Sequence, residues 1–261
     1  MKQYIVDAFS KQIFHGNPAA VCVMDQWPDE KLMKDIAKEN NLSETAFVVK
    51  EATGYRLRWF TPTCEVGLCG HATLATGFVL LNYNEKGAQA VSFHTNGGDL
   101  EVRRKEDLYE MQFPNIPLKK EKVTEDIMEA IGSIPLDVRM GKDLDLICVL
   151  QSAEQVKSFA PYAEALKKLP GRMVHITAPG TDGYDCISRS FGPKIGILED
   201  PVCGSAHCQI IPYWAKRLNK KVINAYQASD RGGALQGEII DEERLLIRGK
   251  ATLFAESKIY I

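Results

Sequence analysis

The sequence lacks the charge imbalance that is typical of proteins that bind nucleic acids or membrane surfaces. Its 32 basic and 34 acidic residues leave a formal net charge of −2 over 261 residues. Electrostatics therefore gives no reason to expect a nucleic acid or an anionic membrane as a partner. The sequence also lacks an apolar run near the ~18 residues of a membrane-spanning helix. Residues 1–9 indicate a strand rather than a signal peptide, so we expect a cytoplasmic protein.

The cysteines lack the spacing of a small disulfide-bonded scaffold. There are seven of them, an odd number, and we expect reduced thiols. The pairs Cys64/Cys69 and Cys203/Cys208 lie near histidines, but their spacing is not that of the usual structural zinc sites. No low-complexity segment and no Gly- or Ser-rich linker is present. With 45% hydrophobic and 25% charged residues, the chain has the composition of one or two ordinary globular domains.

The sequence contains two copies of one motif. Residues 65–72 read Glu-Val-Gly-Leu-Cys-Gly-His-Ala, and residues 199–206 read Glu-Asp-Pro-Val-Cys-Gly-Ser-Ala. A shared lead-in precedes each copy, Arg-Trp-Phe-Thr-Pro at 58–62 and Arg-Ser-Phe-Gly-Pro at 189–193. The lead-ins lie 131 positions apart (189 minus 58) and the cysteines 134 apart (203 minus 69), about half of the chain. We infer an internal duplication whose period is too long for a solenoid.

Each copy of the motif predicts the start of a buried helix. Apolar residues at helical spacing follow Gly70 and Gly204, and they predict central helices over 70–81 and 204–218. The first N–H groups of a helix have no partner within the helix and carry partial positive charge. A glycine lets a ligand approach them closely, so both motifs are candidate carboxylate-binding sites.

The remaining pattern predicts an α+β protein of two similar halves. Residues 1–115 contain many short strands around the helix at 70–81, and residues 116–261 repeat this plan around the helix at 204–218. We expect mostly antiparallel pairing because hairpin turns outnumber crossover connections, and we expect that the last strand can pair with the first half. A sheet wrapped around one apolar helix would cover that helix on all sides.

Several segments together carry a resemblance to a known family. They are Asn-Leu-Ser-Glu-Thr-Ala-Phe at 41–47, Leu-Cys-Gly-His-Ala-Thr at 68–73, Asp-Pro-Val-Cys-Gly-Ser-Ala-His at 200–207 and Arg-Gly-Gly at 231–233. With the opening Asp-Ala-Phe at 7–9 and Gly-Asn-Pro-Ala at 16–19, the chain resembles the PhzF family of phenazine-biosynthesis-like isomerases. The resemblance implies a diaminopimelate-epimerase-like fold of two pseudo-symmetric halves, each a β-barrel-like sheet around a central helix. It also implies a cofactor-independent isomerase without metal, often a homodimer.

The resemblance also implies roles for individual residues. Glu44 is similar to the catalytic acid/base of the family, and His71 and Asp200 are similar to its supporting proton-handling groups. The implied substrate-binding residues are Asn17, Gly70, Ala72, Gly204, Ser205, Ala206, Arg231 and Gly232. From the residues alone, the segment 231–233 is either an anion-binding turn or a plain hairpin turn.

One departure from the family keeps a second reaction open. Related epimerases and proline racemases use two cysteines, each just before the glycine that starts a central helix, and Cys69 and Cys203 stand at those places. PhzF-type proteins usually have threonine at the position of Cys203. Those epimerases, in turn, have asparagine where His71 stands and lack the Ser-Glu-Thr of 43–45. We expect the helix starts to lower the pKa of both thiols, which would suit a two-base epimerase.

Each candidate also has a purely structural interpretation. Glu44 could be a capped surface glutamate, His71 a buried histidine bonded to backbone, and Asp200 a helix cap. A single cysteine is most often a small core residue, and we expect this of Cys22, Cys148 and Cys186. The sequence therefore predicts an isomerase that moves a proton on a small carboxylic acid. The alternatives are a cysteine-dependent amino-acid epimerase or racemase, and a non-catalytic protein that binds small acids.

Overall fold

The fold is described by a computed structural model that covers residues 1–141 and 145–261. The helices are α1 (Glu30–Asn40), α2 (Gly70–Val79), α3 (Glu125–Ile131), α4 (Ala153–Lys157), α5 (Ala163–Lys168) and α6 (Gly204–Leu218). The strands are β1 (Lys2–Ala8), β2 (Asn17–Met24), β3 (Glu44–Lys50), β4 (Tyr55–Phe60), β5 (Glu65–Val66), β6 (Ala90–Thr95), β7 (Gly98–Lys105), β8 (Leu108–Pro114), β9 (Leu118–Lys120), β10 (Asp137–Gly141), β11 (Leu146–Val149), β12 (Val174–Pro179), β13 (Cys186–Gly192), β14 (Ile197–Asp200), β15 (Val222–Gln227), β16 (Gly233–Ile239), β17 (Arg244–Gly249) and β18 (Ala251–Lys258). None of the helices in these two ranges is long and apolar enough to cross a membrane.

The chain divides into two compact units. The first unit comprises Met1–Gln112 together with Arg248–Ile261, and the second comprises Phe113–Ile247. The C-terminal segment belongs to the first unit because β18 pairs antiparallel with β1 along its length. Strand β1 pairs with β2 on its other side, so the two ends of the chain meet in one sheet.

The first unit is a curved sheet packed around α2. Strand β2 pairs in parallel with β3, β3 antiparallel with β4, β4 in parallel with β6, and β6 antiparallel with β7. Helix α2 packs against β1, β2, β3, β7 and β18, and its Leu74, Ala75 and Val79 are completely buried. A Cβ at Gly77 would lie 2.4–2.8 Å from side-chain atoms of Val102 on β7, so only glycine permits this close approach. The helix ends in a π-helical turn, Leu80–Asn84.

The second unit repeats this order of pairings. Strand β11 pairs in parallel with β12, β12 antiparallel with β13, β13 in parallel with β15, and β15 antiparallel with β16. The short strands β5 and β14 lie at corresponding places, antiparallel to β4 and β13. The predicted α+β architecture, a mostly antiparallel barrel-like sheet around one central helix in each unit, is confirmed.

Helix α6 continues through Pro212 because another segment replaces the missing hydrogen bond. A proline has no N–H and cannot donate to the carbonyl four residues earlier, which here belongs to Cys208. The backbone N–H of Ile116 donates to that carbonyl at 3.2 Å. Residues just before β9 are thereby attached to the middle of the central helix.

A repeated ion pair fixes the turn that leads into each central helix. Arg58 on β4 donates from Nε and Nη2 to the two carboxylate oxygens of Glu65 on β5, both at 2.7 Å. Arg189 on β13 makes the same pair of bonds to Glu199 on β14, at 2.8 and 2.7 Å. Each guanidinium also lies 5.1 Å from the ring centre of the phenylalanine two positions later. The shared Arg, Phe and Glu of the duplicated motif therefore have a structural role.

Candidate active site

Glu44 is placed by the end of helix α1 and the start of strand β3. Asn41 ends the helix in the left-handed conformation, with φ of 48°, and turns the chain toward the sheet. The Asn40 side chain then donates to the Thr45 hydroxyl at 3.1 Å. Glu44 stands opposite Ala19 in the parallel pairing of β2 and β3. Its side chain is only 14% exposed, so the carboxylate lies at the edge of the protein interior.

His71 lies between the Glu44 carboxylate and the Cys69 thiol. Its Nε2 is 3.2 Å from Oε2 of Glu44, and its Nδ1 is 3.5 Å from Sγ of Cys69. Cys69 is the N-cap of α2 but its side chain does not cap the helix; the thiol contacts the imidazole instead. His71 and Cys69 are 6% and 7% exposed. The first unit thus joins three of the predicted catalytic residues in one row.

Burial keeps the His71 imidazole neutral. Removal from water lowers the pKa of His71 to about 3, because the interior disfavours the charged ring. The position of His71 at a helix start also disfavours the charged ring, so both effects favour the neutral form. A neutral imidazole has one N–H and one lone pair. With the N–H on Nε2, it orients the Glu44 carboxylate without cancelling its negative charge.

The same three residues are the only group of potential metal ligands found in the described ranges. One donor atom from each of Glu44, Cys69 and His71 lies within 4.8 Å of the others. A metal ion binds a histidine through one ring nitrogen. Here the carboxylate and the thiol face different nitrogens of the ring, 3.2 Å from Nε2 and 3.5 Å from Nδ1. This arrangement does not suit shared coordination of one ion.

The second unit holds a different set of groups at the start of α6. Cys203 is the N-cap, and its Sγ lies 3.3 Å from the hydroxyl of the exposed Ser205. The Asp200 carboxylate accepts from the backbone N–H of Val202 at 3.1 Å. Gln227 joins the two ends of this turn, accepting from the Cys203 N–H at 2.9 Å and donating to the Asp200 carbonyl at 2.6 Å.

The predicted lowering of the thiol pKa is wrong for Cys203. Burial raises the pKa of this thiol well above its usual value, and the nearby charge of Asp200 raises it further. Hydrogen bonds from Ser205 and from the backbone of Ala206 offset only part of the rise. Desolvation at this helix start therefore outweighs the helix dipole, whose effect is confined to the first turn. Cys203 is a protonated thiol at neutral pH.

Burial also shifts the neighbours of Cys203. It raises the pKa of Asp200, against the opposing effect of hydrogen bonds from Cys203 and the Val202 backbone. It lowers the pKa of His207 to about 4. The neutral His207 ring lies 2.7 Å through Nδ1 from the Cys203 carbonyl and 3.3 Å through Nε2 from the Ser188 hydroxyl. His207 thus anchors the first turn of α6 to strand β13.

The remaining predicted binding residues differ in what they can offer a ligand. Ala72 and Ala206 are completely buried, so each can offer only its backbone. Asn17 is also buried and lies two residues before Ala19, on the face of the sheet that carries Glu44. Gly232, with φ of 63°, lies between β15 and β16 and donates to Ser229 Oγ at 3.1 Å. Its neighbour Arg231 is half-buried.

Two features of the site were not found from the sequence. Gln227 has no motif around it, and only the fold brings the end of β15 to the start of α6. The Arg–Glu pairs, in contrast, had a signal, because both members recur in the duplicated segments at 58–65 and 189–199. The other cysteines follow expectation. Cys22, Cys148 and Cys186 are completely buried, and none of the seven cysteines, all within the described ranges, forms a disulfide.

Comparison with known proteins gives consistent matches along the whole chain. The family model described as phenazine biosynthesis-like protein matches residues 6–257. An uncharacterized isomerase of Pseudomonas aeruginosa is 45% identical over 254 residues, which cover 97% of this chain and 96% of that protein. A crystal structure of a PhzF-family phenazine biosynthesis protein from Enterococcus faecalis has a TM-score of 0.96 at 48% identity, covering 100% of this chain and 99% of that chain. A probable proline racemase from Agrobacterium radiobacter shares the fold at 10% identity, with a TM-score of 0.64 and 100% and 93% of the two chains covered.

Proposed function

Because this chain belongs to the phenazine biosynthesis-like (PhzF) family, we propose that it is a cofactor-independent isomerase that moves a proton on a small carboxylic acid. Glu44 is the acid/base group. The observation that carries this proposal is the neutral His71 ring, 3.2 Å from a Glu44 carboxylate that is only 14% exposed. A carboxylate that faces a neutral ring and is shielded from water is suited to removing a proton from carbon.

The proposed reaction has two proton transfers. The ionised Glu44 removes a proton from the carbon next to the substrate carboxylate, and the bonding electrons move into that carboxylate and any conjugated double bond. The protonated Glu44 then returns the proton to another carbon of the conjugated system. Backbone N–H groups at the start of α2 are the proposed binding groups for the carboxylate, and they would stabilise the charge that develops on it. Those at the start of α6 are a second proposed anion-binding group. Asp200, whose pKa is raised by burial, is the proposed proton donor of the second unit.

A second candidate is an amino-acid epimerase that uses Cys69 and Cys203. The difference between the two thiols favours it, since a two-base mechanism needs one thiolate and one thiol at the same time. Cys203 is held protonated, whereas Cys69 lies 3.5 Å from the His71 ring, through which the Glu44 carboxylate on its far side could take the thiol proton. We propose, as the family resemblance implies, that either enzyme would act as a homodimer in the cytoplasm.

Deuterium exchange separates the two reactions. The protein is incubated in deuterium oxide with unsaturated carboxylic acids, proline, hydroxyproline and common amino acids, and NMR locates the deuterium. The isomerase places deuterium at a shifted carbon, and Glu44→Gln abolishes this while Cys203→Ser only weakens it. Deuterium at an epimerised α-carbon that is lost in Cys203→Ser would replace the isomerase by the epimerase. Tight binding of one acid without exchange would indicate a binding protein.

A further inference from the structure

The two copies of the motif differ at the residue that contacts the thiol. Two positions after the cysteine, the first copy has His71, with Nδ1 3.5 Å from Sγ of Cys69. The second copy has Ser205, with Oγ 3.3 Å from Sγ of Cys203. A serine hydroxyl is not a base at neutral pH, whereas a neutral imidazole can accept a thiol proton. The Cys203 thiol hydrogen-bonds to the Asp200 carboxylate instead, so only the first copy pairs its cysteine with an imidazole.

The Glu44 carboxylate completes this arrangement on the far side of the imidazole. It lies 3.2 Å from Nε2 and favours the tautomer with the proton on that nitrogen, which leaves the lone pair of Nδ1 directed at the Cys69 thiol. A thiol, an imidazole and a carboxylate in this order form the arrangement that activates nucleophilic cysteines in other folds. The Glu44 side chain is 14% exposed, the His71 side chain 7% and Cys69 7%, so bulk water competes little with these contacts.

We propose that Cys69 is a nucleophile, activated by His71 and Glu44, that adds to small α,β-unsaturated carboxylic acids. This proposal rests on the proposed function in one respect: it assumes the same site and the same class of acid. As the Sγ–carbon bond forms at the β-carbon, the thiol proton moves to Nδ1, the Nε2 proton moves to Glu44, and the π electrons move toward the acceptor's carboxylate. The ring therefore stays neutral, in keeping with its lowered pKa. The proton then passes from Nδ1 to the α-carbon while Glu44 returns a proton to Nε2, so the sum is addition of S–H across the double bond.

Cys69 is 7% exposed, but the residues just before it lie at the surface, on the side from which we propose that a small acid approaches. Leu68 beside it is 51% exposed, and a Cβ at Gly67 would meet no atom within 4 Å. The first N–H groups of the ten-residue helix α2 begin at the next residue and suit the acid's carboxylate. Five other cysteines are buried, namely Cys22, Cys148, Cys186, Cys203 and Cys208, and the partner of Cys203 is the Asp200 carboxylate rather than an imidazole. Cys64 is exposed and serves as an internal standard.

Peptide mass spectrometry after a short reaction with acrylate measures this directly, because the labelling of Cys69 and Cys64 is read in the same sample. We expect acrylate to label Cys69 at least tenfold faster than Cys203. We expect the Cys69/Cys64 labelling ratio to fall at least tenfold in Glu44→Gln. The variant His71→Ser gives the first copy the residue of the second copy, and its Cys69 should react no faster than Cys203. Cys22 must stay unlabelled, which shows that each variant is folded.

A neutral reagent tests the carboxylate part of the proposal. Acrylamide has the same acceptor carbon without the charge, so the acrylate/acrylamide rate ratio should be higher at Cys69 than at Cys64. A ratio at or below that of Cys64 would overturn the preference for acids. Labelling of Cys69 that is absent, or that is unchanged by Glu44→Gln and His71→Ser, would overturn the activated nucleophile.

The labelling needs no turnover, so its failure is distinct from failure of the proposed isomerase. Glu44-dependent labelling without deuterium exchange on any acid would leave the nucleophile standing and count against the isomerase. Deuterium exchange that depends on Glu44, together with a Cys69 that does not react, would support the isomerase and reject the nucleophile.

Discussion

Replacing Arg189 with methionine should destabilise the second unit by about 3 kcal/mol. The guanidinium donates to both oxygens of Glu199 at 2.8 and 2.7 Å and to the Phe159 carbonyl at 2.5 Å. Methionine has a similar length but donates no hydrogen bond. Glu199 would then keep its charge in a place where its side chain is only 20% exposed.

The magnitude follows from the burial of the pair. Removing one partner of a buried ion pair costs about 3–5 kcal/mol, because the remaining charge is left uncompensated. The side chains of Arg189 and Glu199 are 10% and 20% exposed, so water can reach the carboxylate in part, and we take the lower end of that range. The matching change in the first unit, Arg58→Met, should cost less, about 2 kcal/mol, since that pair is 19% and 23% exposed.

Hydrogen exchange followed by mass spectrometry in increasing urea is the suitable assay because it reports on each unit separately. Arg103→Met is the matched control: Arg103 pairs with Glu101 where both side chains are about half exposed, 53% and 45%, and its loss should cost less than about 0.5 kcal/mol. Adding Glu199→Gln to Arg189→Met should recover part of the loss, since no charge is then left unpaired. If Arg189→Met is as mild as Arg103→Met, the repeated ion pair does not fix the entry to the central helix.

Three further changes test other parts of the structure. His207→Gln should reduce the acid sensitivity of stability, although His71 still contributes to it. The folded pKa of His207 is about 4 against about 6.5 unfolded, so its contribution of up to about 3 kcal/mol is lost as pH falls from about 6.5 toward 4, and thermal melts across that range measure the difference. Gly77→Ala should cost about 1–3 kcal/mol in urea unfolding because Val102 must move, whereas Gly67→Ala should cost almost nothing. Gln227→Met should cost about 2–3 kcal/mol of stability, because it removes the hydrogen bonds of the Gln227 side chain to the Cys203 N–H and the Asp200 carbonyl. Hydrogen exchange at the start of α6 should therefore become faster, and unchanged exchange there would contradict this role.

The fold class could be predicted from the sequence because the duplicated motif and the strand spacing are local signals. Each motif predicts a helix start, and the repeated segments indicate two similar halves, which the equivalent strand pairings of the two units confirm. The sequence did not predict that Arg58 pairs with Glu65 or that Arg189 pairs with Glu199. It depends on how β4 and β5, or β13 and β14, turn against each other.

The sequence indicated candidate residues for the site but not their geometry. Cys69 and His71 are two positions apart, so their contact follows from the helix start. Glu44 is 27 positions from His71 (71 minus 44), and only the parallel pairing of β2 and β3 brings it there. The pKa of Cys203 was predicted with the wrong sign, because the sequence shows the helix start but not the burial that outweighs it.

The most direct measurement on the proposed proton-transfer pair is ¹⁵N NMR of the His71 side chain, which needs no knowledge of the substrate. Because burial holds the pKa of His71 at about 3, we predict a neutral ring from about pH 5 to about pH 7.5. We also predict the proton on Nε2, facing Glu44, and a change in the Nε2 signal in Glu44→Gln. Two results would contradict the assignment of Glu44 and His71 as the proton-transfer pair. One is a His71 ring that becomes doubly protonated near the usual pKa of histidine, and the other is a ring with its proton on Nδ1 whose signals do not change in Glu44→Gln.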